Sequence, residues 1–509
     1  MLSRVKSAGI AGIDGYEVTV EADVSGGLPS FDVVGLADVA IKESKERVKS
    51  AIKNSGFQLK SYKITVNLAP AAIKKDGTHY DLPLATAVLG ALGHINAQNI
   101  ENYAVLGELS LYGEVRGVSG ILPMTDKLKK SGIKNIIVPY DNRNEAAIVK
   151  GVNIYPVKTL KETLDIINSP DVITPYINED KYDNDEEEIT LDFCDVQGQE
   201  QAKRALEIAC AGGHSCLMIG SPGSGKTMLS KRVPYILPPL THEEAIEVTK
   251  LYSISSLISD DKPLMTKRPF RTIHHTASQV SIIGGGAKAN PGEVSLAHNG
   301  VLFMDELPEF KRATLEVLRQ PLEDKEVTVT RVSKSATYPC NFMVIAAMNP
   351  CPCGYMSSDK RECTCSLDEI RRYQKKISGP LLDRIDLQVE VSGIEYKEMV
   401  SYEKAENSLE IRKRVVKARE VQKERYKNEK ITTNSQLTTP LIKKYCKLTD
   451  EAQKILEMAF DRMGLSARGY TKIIKVARTI ADLEGCEEIN EAHIAEAIGY
   501  RDIDTKYFN

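Results

Sequence analysis

Residues Gly220, Ser221, Pro222, Gly223, Ser224, Gly225, Lys226 and Thr227 follow the spacing G-x-x-x-x-G-K-[ST]. The short apolar run Ser215–Ile219 enters this octapeptide, and MLSKRV leaves it with helical character, so it reads as a loop between strand and helix. Glycines there let successive backbone N–H groups curl around phosphate oxygens, and the next helix turns its positive end towards them. Lys226 adds a point charge for the β and γ phosphates, and the Thr227 hydroxyl suits Mg²⁺. The expected ligand is a nucleoside triphosphate, ATP, with Mg²⁺.

A second element strengthens that reading. Gly300-Val-Leu-Phe-Met-Asp-Glu306 is an apolar strand that ends in two acids. It would deliver Asp305 to the Mg²⁺ shell and set Glu306 to polarise an attacking water. A third apolar strand, Asn341–Ala347, runs to Met348 and Asn349. At a strand tip beside a nucleotide, Asn349 could orient that water. Equally, it could be a turn residue before Pro350.

Of the 10 cysteines, Cys351, Cys353, Cys363 and Cys365 lie in one short stretch with C-x-C…C-x-C spacing. Four thiolates suit tetrahedral zinc, and a site filled by sulfur has no open position for catalysis. Four free thiols in a loop are the alternative. The N-terminal MLSRVKSAGIAGIDGYEV lacks the apolar core of a signal peptide, and no run of about 18 apolar residues exists. A reducing cytoplasm is therefore expected, where disulfides are rare.

The chain has 509 residues, 42% hydrophobic and 27% charged, which implies several globular domains. A net charge of −3 means that any nucleic-acid binding must use a local basic surface. Residues 1–168 read as an α+β domain, with strands at Tyr16–Val24 and Lys63–Leu68 and helices at Ser44–Ile52 and Leu82–Leu92. Residues 169–190, with an acidic run, read as a linker. The motif-bearing core spans 191–394 and includes the cysteine loop 351–365. Residues 395–509 read as all-helical.

Taken together, these elements resemble the magnesium-chelatase-like branch of AAA+ ATPases, specifically the YifB/ComM family. GGGAKANPGEVSLAHNGVLFMDELPEF, ISGPLLDRIDL and LSARGYTKIIKVARTIADL carry the likeness, which is more distant to replicative helicases of the MCM type. The resemblance implies an α/β P-loop core, a parallel sheet with flanking helices, and a helical lid. It puts Asn349 at the sensor-1 position, Arg384 at the arginine finger and Arg468 at sensor 2. Asp195, Val196 and Gly198 match the segment that touches adenine. A finger acting on a neighbour's ATP requires a ring, and the family implies a homo-hexamer.

Residues 1–168 resemble the protease domain of Lon, an S5-like fold, through KKDGTHYDLPLATAVLGALG and LGELSLYGEVRGVSGILPMTDKLKKSG. Lon uses a serine and a lysine of lowered pKa. Those positions fall here at His79 and near Leu122, so a non-proteolytic scaffold or docking domain is expected. Lys127 and Lys130 read as surface charges.

The substrate is less constrained. Glu326–Tyr338 alternates like a β-hairpin with Arg331 and Lys334 near its tip. Arg271–Ala289 is a Gly-rich polar insert. Six such hairpins would line a pore with positive charge, suited to a phosphate backbone without base specificity. Exposed, solvated charges are the plain alternative. The family tips the reading to a DNA motor of helicase or branch-migration type, in recombination or natural transformation. A chelatase-like ATPase that remodels a protein partner is the second reading, and a slow regulatory ATPase the third. His274, His275 and His298 read as structural or hydrogen-bonding residues.

Overall fold

The computed structural model describes residues 1–59, 62–177, 189–259, 261–286, 289–331, 334–356, 361–393, 405–501, 503, 507 and 508. They divide into two compact units, Met1–Asp185 with Ala245–Met265, and Glu186–Glu244 with Thr266–Asn509.

The first unit is built on a seven-stranded mixed sheet. Its strand order is Ser30–Val34, Tyr62–Ala69, Asp14–Gly26, Leu2–Ala11, Tyr103–Val105, Asn135–Pro139, Asn153–Val157. The alternation at 16–24 buries Val18, Val20, Ala22 and Val24 on one face, as period-2 patterning requires. Helices Val39–Asn54 and Asp81–Ala91 pack on each other, and the second is buried along nearly its whole length.

This unit departs from the sequence boundaries in two ways. It runs beyond residue 168, because Tyr176 N–H donates to Ile154 O at 2.7 Å and Tyr176 Oη to Asn144 at 2.7 Å. The acidic stretch 178–188 lies outside the described residues. It also takes in Ala245–Met265 from the middle of the motif-bearing stretch. There Lys250 pairs with Asp126 at 2.7 Å, and Ser253 Oγ donates to Glu145 at 2.5 Å. An amphipathic helix shows that it has a buried face, not which sheet it covers.

The second unit carries a five-stranded sheet in the order Phe270–Ile273, Val301–Met304, Met343–Met348, Cys216–Gly220, Leu387–Val391. Every adjacent pair is parallel. Helices cover both faces of such a sheet, which is why its strands are continuous apolar runs rather than alternating ones. Cys216, Leu217, Met218 and Ile219 are all fully buried. This is the α/β arrangement expected of an AAA+ core.

The C-terminal part is helical: Ser408–Arg425, Thr439–Tyr445, Asp450–Met463, Ala467–Glu484 and Glu491–Gly499. A polar network ties Ala467–Glu484 to the sheet. His214 contacts Asp386 at 3.1 Å through Nδ1 and Thr479 at 2.8 Å through Nε2. Lys472 Nζ donates to Ile385 O at 2.8 Å. Burial pushes the Asp386 carboxyl up, but the His214 hydrogen bond and the Lys472 charge outweigh it and hold it well below the usual carboxylate range. Asp386→Ala is expected to cost about 3 kcal/mol, because it removes the carboxylate that offsets the buried Lys472 charge and takes the His214 hydrogen bond. A fall in the denaturant midpoint checks this; an unchanged midpoint would mean that the network carries no stability.

Among the described residues no helix is long and apolar enough to cross a membrane.

Candidate functional site

Parallel strands end on the same side of their sheet, so strands Cys216–Gly220, Val301–Met304 and Met343–Met348 present the residues that follow them at one edge. The first runs into the loop 220–227. Gly223 and Gly225 adopt φ of 78° and 94°, a left-handed backbone that a side chain would strain. Helix Lys226–Ile236 starts directly after Gly225.

Lys226 is buried inside the loop that it serves. Its Nζ donates to Gly220 O at 2.7 Å, Ser221 O at 2.9 Å, Ser224 Oγ at 3.4 Å and Asn349 Oδ1 at 3.4 Å. Burial pushes its ammonium down to about 8, against the pull of Asp305. An anion placed in the loop would favour the charged form. Thr227 Oγ1 donates to Asp305 Oδ2 at 2.8 Å, and Asp305 Oδ1 accepts from Glu306 N–H at 2.9 Å. Lys226, Thr227, Asp305 and Asn349 therefore form one cluster.

Glu306 is half-exposed, with φ of 51° in the left-handed region. A non-glycine residue held there stores strain, which concentrates at functional sites. His275 Nδ1 lies 3.5 Å from Glu306 Oε2. The sequence reading gave His275 no such role. The available signal was its place just beyond strand Phe270–Ile273, the neighbour of the strand that delivers Glu306.

Asp195 and Val196 belong to a short turn against the helix that follows the loop. Arg232 of that helix donates to Asp195 Oδ2 at 2.9 Å and to Asp192 O at 2.5 Å. Val196 is buried, and Gly198 has φ of 62°.

Arg384 and Arg468 form a second cluster, gathered on Glu323. Arg384 donates through one terminal nitrogen to Glu323 and through the other to Pro380 O at 2.6 Å. Arg468, in the first turn of helix Ala467–Glu484, approaches Glu323 at 3.8 Å. The Arg384 guanidinium holds the Glu323 carboxyl below its ordinary range. Nothing in the sequence pointed to Glu323.

The four cysteines also converge. Sγ–Sγ distances are 3.4 Å for Cys351–Cys353, 3.7 Å for Cys351–Cys363 and 3.6 Å for Cys353–Cys363, and Cys365 Sγ accepts from Cys353 N–H at 3.4 Å. Four sulfurs at about 2.3 Å from a tetrahedral zinc stand about 3.75 Å apart, so the donor set fits that ion. Glu484, Cys486 and His493 also lie close together, but Asn490 N–H donates to His493 Nδ1 at 3.0 Å and Glu484 takes Nε2 at 3.0 Å. Both ring nitrogens are engaged, and His493 serves with Asn490 as the capping box of helix Glu491–Gly499.

The predicted hairpin forms as Glu326–Arg331 against Lys334–Pro339. One face is buried through Val327, Val329, Ala336 and Tyr338. The other carries paired hydroxyls, Thr328–Thr337 at 3.0 Å and Thr330–Ser335 at 3.3 Å. Arg331 and Lys334 close the register, and their side chains lie outside the described residues.

Known proteins match along the whole chain. The family described as magnesium chelatase, subunit ChlI, matches residues 192–399, that described as subunit ChlI of Mg-chelatase 20–142, and that described as magnesium chelatase, subunit ChlI C-terminal, 405–501. YifB of Salmonella typhimurium is 41% identical over 507 residues, covering 99% of this chain and 97% of that protein. The chain belongs to the magnesium-chelatase-like YifB/ComM family of AAA+ proteins. Competence protein ComM of Haemophilus influenzae is 40% identical over 506 residues, covering 98% of this chain and 97% of that protein. Lon protease 2 of Bacillus subtilis is 34% identical over 140 residues, 26% of this chain and 24% of that protein.

Of the two positions that the resemblance assigns to the Lon dyad, one falls at His79 and the other near Leu122. Leu122 is fully buried, and its N–H donates to Glu145 at 2.8 Å, the same carboxylate that takes the Ser253 hydroxyl. Lys130 pairs with Asp126 at 3.0 Å on the surface.

Proposed function

We propose that this chain hydrolyses ATP as a ring of identical copies, in all a hexamer, and uses the cycle to drive DNA through helicase or branch-migration work. The observation that carries the reading is the division of charge within one chain. Lys226, Thr227, Asp305 and Asn349 form a cradle, while Arg384 and Arg468 are gathered elsewhere, on Glu323. A chain whose two arginines are held apart from its own cradle is suited to complete a neighbour's.

Thr227 and Asp305 are the residues that would hold Mg²⁺. Their 2.8 Å separation matches the roughly 2.9 Å edge of an octahedron with metal–oxygen bonds of about 2.0–2.1 Å. Held there, the ion would neutralise charge on the β and γ phosphates. Lys226 binds those phosphates, Asn349 orients the attacking water, and Glu306 takes its proton. Arg384 and Arg468 of the next copy meet the charge that builds on the transferring phosphoryl group, where a planar, permanently charged fork is most effective. Cys351, Cys353, Cys363 and Cys365 would hold a structural zinc.

Support for DNA comes from the family and from the hairpin. ComM is named a competence protein, which fits a role in natural transformation or recombination. The exposed hydroxyl ladder of the hairpin can hydrogen-bond sugar and phosphate oxygens without reading sequence. The ChlI matches favour the second reading, a chelatase-like ATPase that remodels a protein partner. The first unit would then serve as a docking domain without protease activity under either reading.

Turnover with and without single-stranded and four-way DNA separates the two. DNA should raise the rate several-fold, falling off with salt. An Arg331→Ala/Lys334→Ala double variant should lose that rise. A rate indifferent to every DNA would overturn the DNA reading and leave the partner-protein one.

A further inference from the structure

The cysteine cluster touches the phosphate-binding loop at Gly354. Gly354 has φ of 84°, and a Cβ built there would stand 2.5 Å from Pro222 Cδ, 2.7 Å from Pro222 Cγ and 3.7 Å from Asn349 Cγ. Only glycine allows this approach. Gly354 N–H also donates to Cys351 O at 3.0 Å, which closes the turn between the first two cysteines. Asn349, two residues before Cys351, contacts Lys226 at 3.4 Å. Between them, Pro350 O is anchored by Gln374 Nε2 at 3.1 Å. One short run, 349–354, thus supports Lys226, abuts Pro222 and supplies two of the four sulfurs.

The sulfurs have the surroundings of a closed metal site. The backbone N–H of Cys353 donates to Cys365 Sγ at 3.4 Å, and the sulfurs of Cys351, Cys353 and Cys363 stand 3.4–3.7 Å from one another. An N–H···S bond of this kind stabilises a thiolate and orients it towards a cation. With the ion in place, residues on both sides of 357–360 are locked into one geometry. Without it, four thiols hold each other only weakly, and the turn at Gly354 loses its brace.

We propose that zinc bound by Cys351, Cys353, Cys363 and Cys365 is a structural part of the nucleotide site, holding Pro222 and Asn349 in the conformation that takes ATP. ATP affinity then depends on the metal, and by linkage ATP tightens the hold on zinc by the same factor. This rests on the zinc assignment made above.

The test uses the full-length protein purified without a histidine tag. Metal analysis should find about one zinc per chain. Zinc is then withdrawn by a chelator under reducing conditions, and the affinity for a fluorescent ATP analogue is measured before withdrawal, after it and after zinc is restored. The expected result is a loss of about tenfold that zinc reverses, with ATP slowing zinc release to the chelator. A second arm covers the case where the stripped protein unfolds. Gly354→Ala should keep its zinc and still fold, at some cost in melting temperature from the strained backbone, yet bind the analogue about tenfold more weakly, because its Cβ displaces Pro222. Absence of zinc would sink the metal assignment itself. Zinc present, with affinity unchanged in the stripped protein or, should that protein unfold, in Gly354→Ala, would overturn the coupling and leave the zinc site standing.

Discussion

Arg384→Ala is expected to cut ATP turnover about 10³- to 10⁵-fold, the range of arginine-finger contributions, while ATP still binds. The cause lies in where the side chain sits. Arg384 is mostly shielded, with its terminal nitrogens on Glu323 and Pro380 O, whereas the cradle that grips phosphate is built around Lys226. Glu323 itself is half-exposed, and such a pair is worth only about 0–1 kcal/mol, so a neighbour's triphosphate can outbid it for both arginines. Mixing sharpens the test. Arg384→Ala supplies intact cradles and Lys226→Ala supplies intact fingers, so two dead variants should recover turnover when combined. If Arg384→Ala alone turns over normally, or if mixing restores nothing in rings that assemble, the shared site is wrong.

Glu306→Gln is expected to bind ATP and stall, with turnover lowered about 10²- to 10⁴-fold, as befits loss of a general base. The amide keeps the shape but cannot take a proton from water. Glu306 stands where that role requires it: next to Asp305, exposed to incoming water and held by a strained backbone with φ of 51°. Single-turnover measurement on saturated protein isolates the chemical step. A variant with unaltered single-turnover rate would show that the base lies elsewhere.

Much of the cradle was legible because its parts are local. A strand, a glycine loop and a helix adjoin in sequence, so the role of Lys226 follows from spacing. The strand ending at Asp305 and Glu306 reads from apolarity followed by acid, and the hairpin from alternation. The cysteine cluster needs only a short loop to bring four sulfurs together. Asn349 stayed ambiguous in the sequence between a water-orienting residue and a turn; its 3.4 Å contact with Lys226 places it in the cradle. Arg384 and Arg468 came from family resemblance, since an arginine before isoleucine or glycine carries no signature of its own.

The sequence by itself determined the element types, the phosphate loop, the acidic strand end, the hairpin and the cysteine set, because each is written in neighbouring residues and a fixed period. Tertiary structure alone decided which distant groups meet. It put Glu323 on Arg384 across 61 residues of chain, His214 on Asp386 across 172, and Lys250 on Asp126 across 124. It also turned Gly354 onto Pro222 and assigned Ala245–Met265 to the first unit. Such pairings depend on how sheets and helices stack, and local periodicity records only that a face is buried, never what buries it.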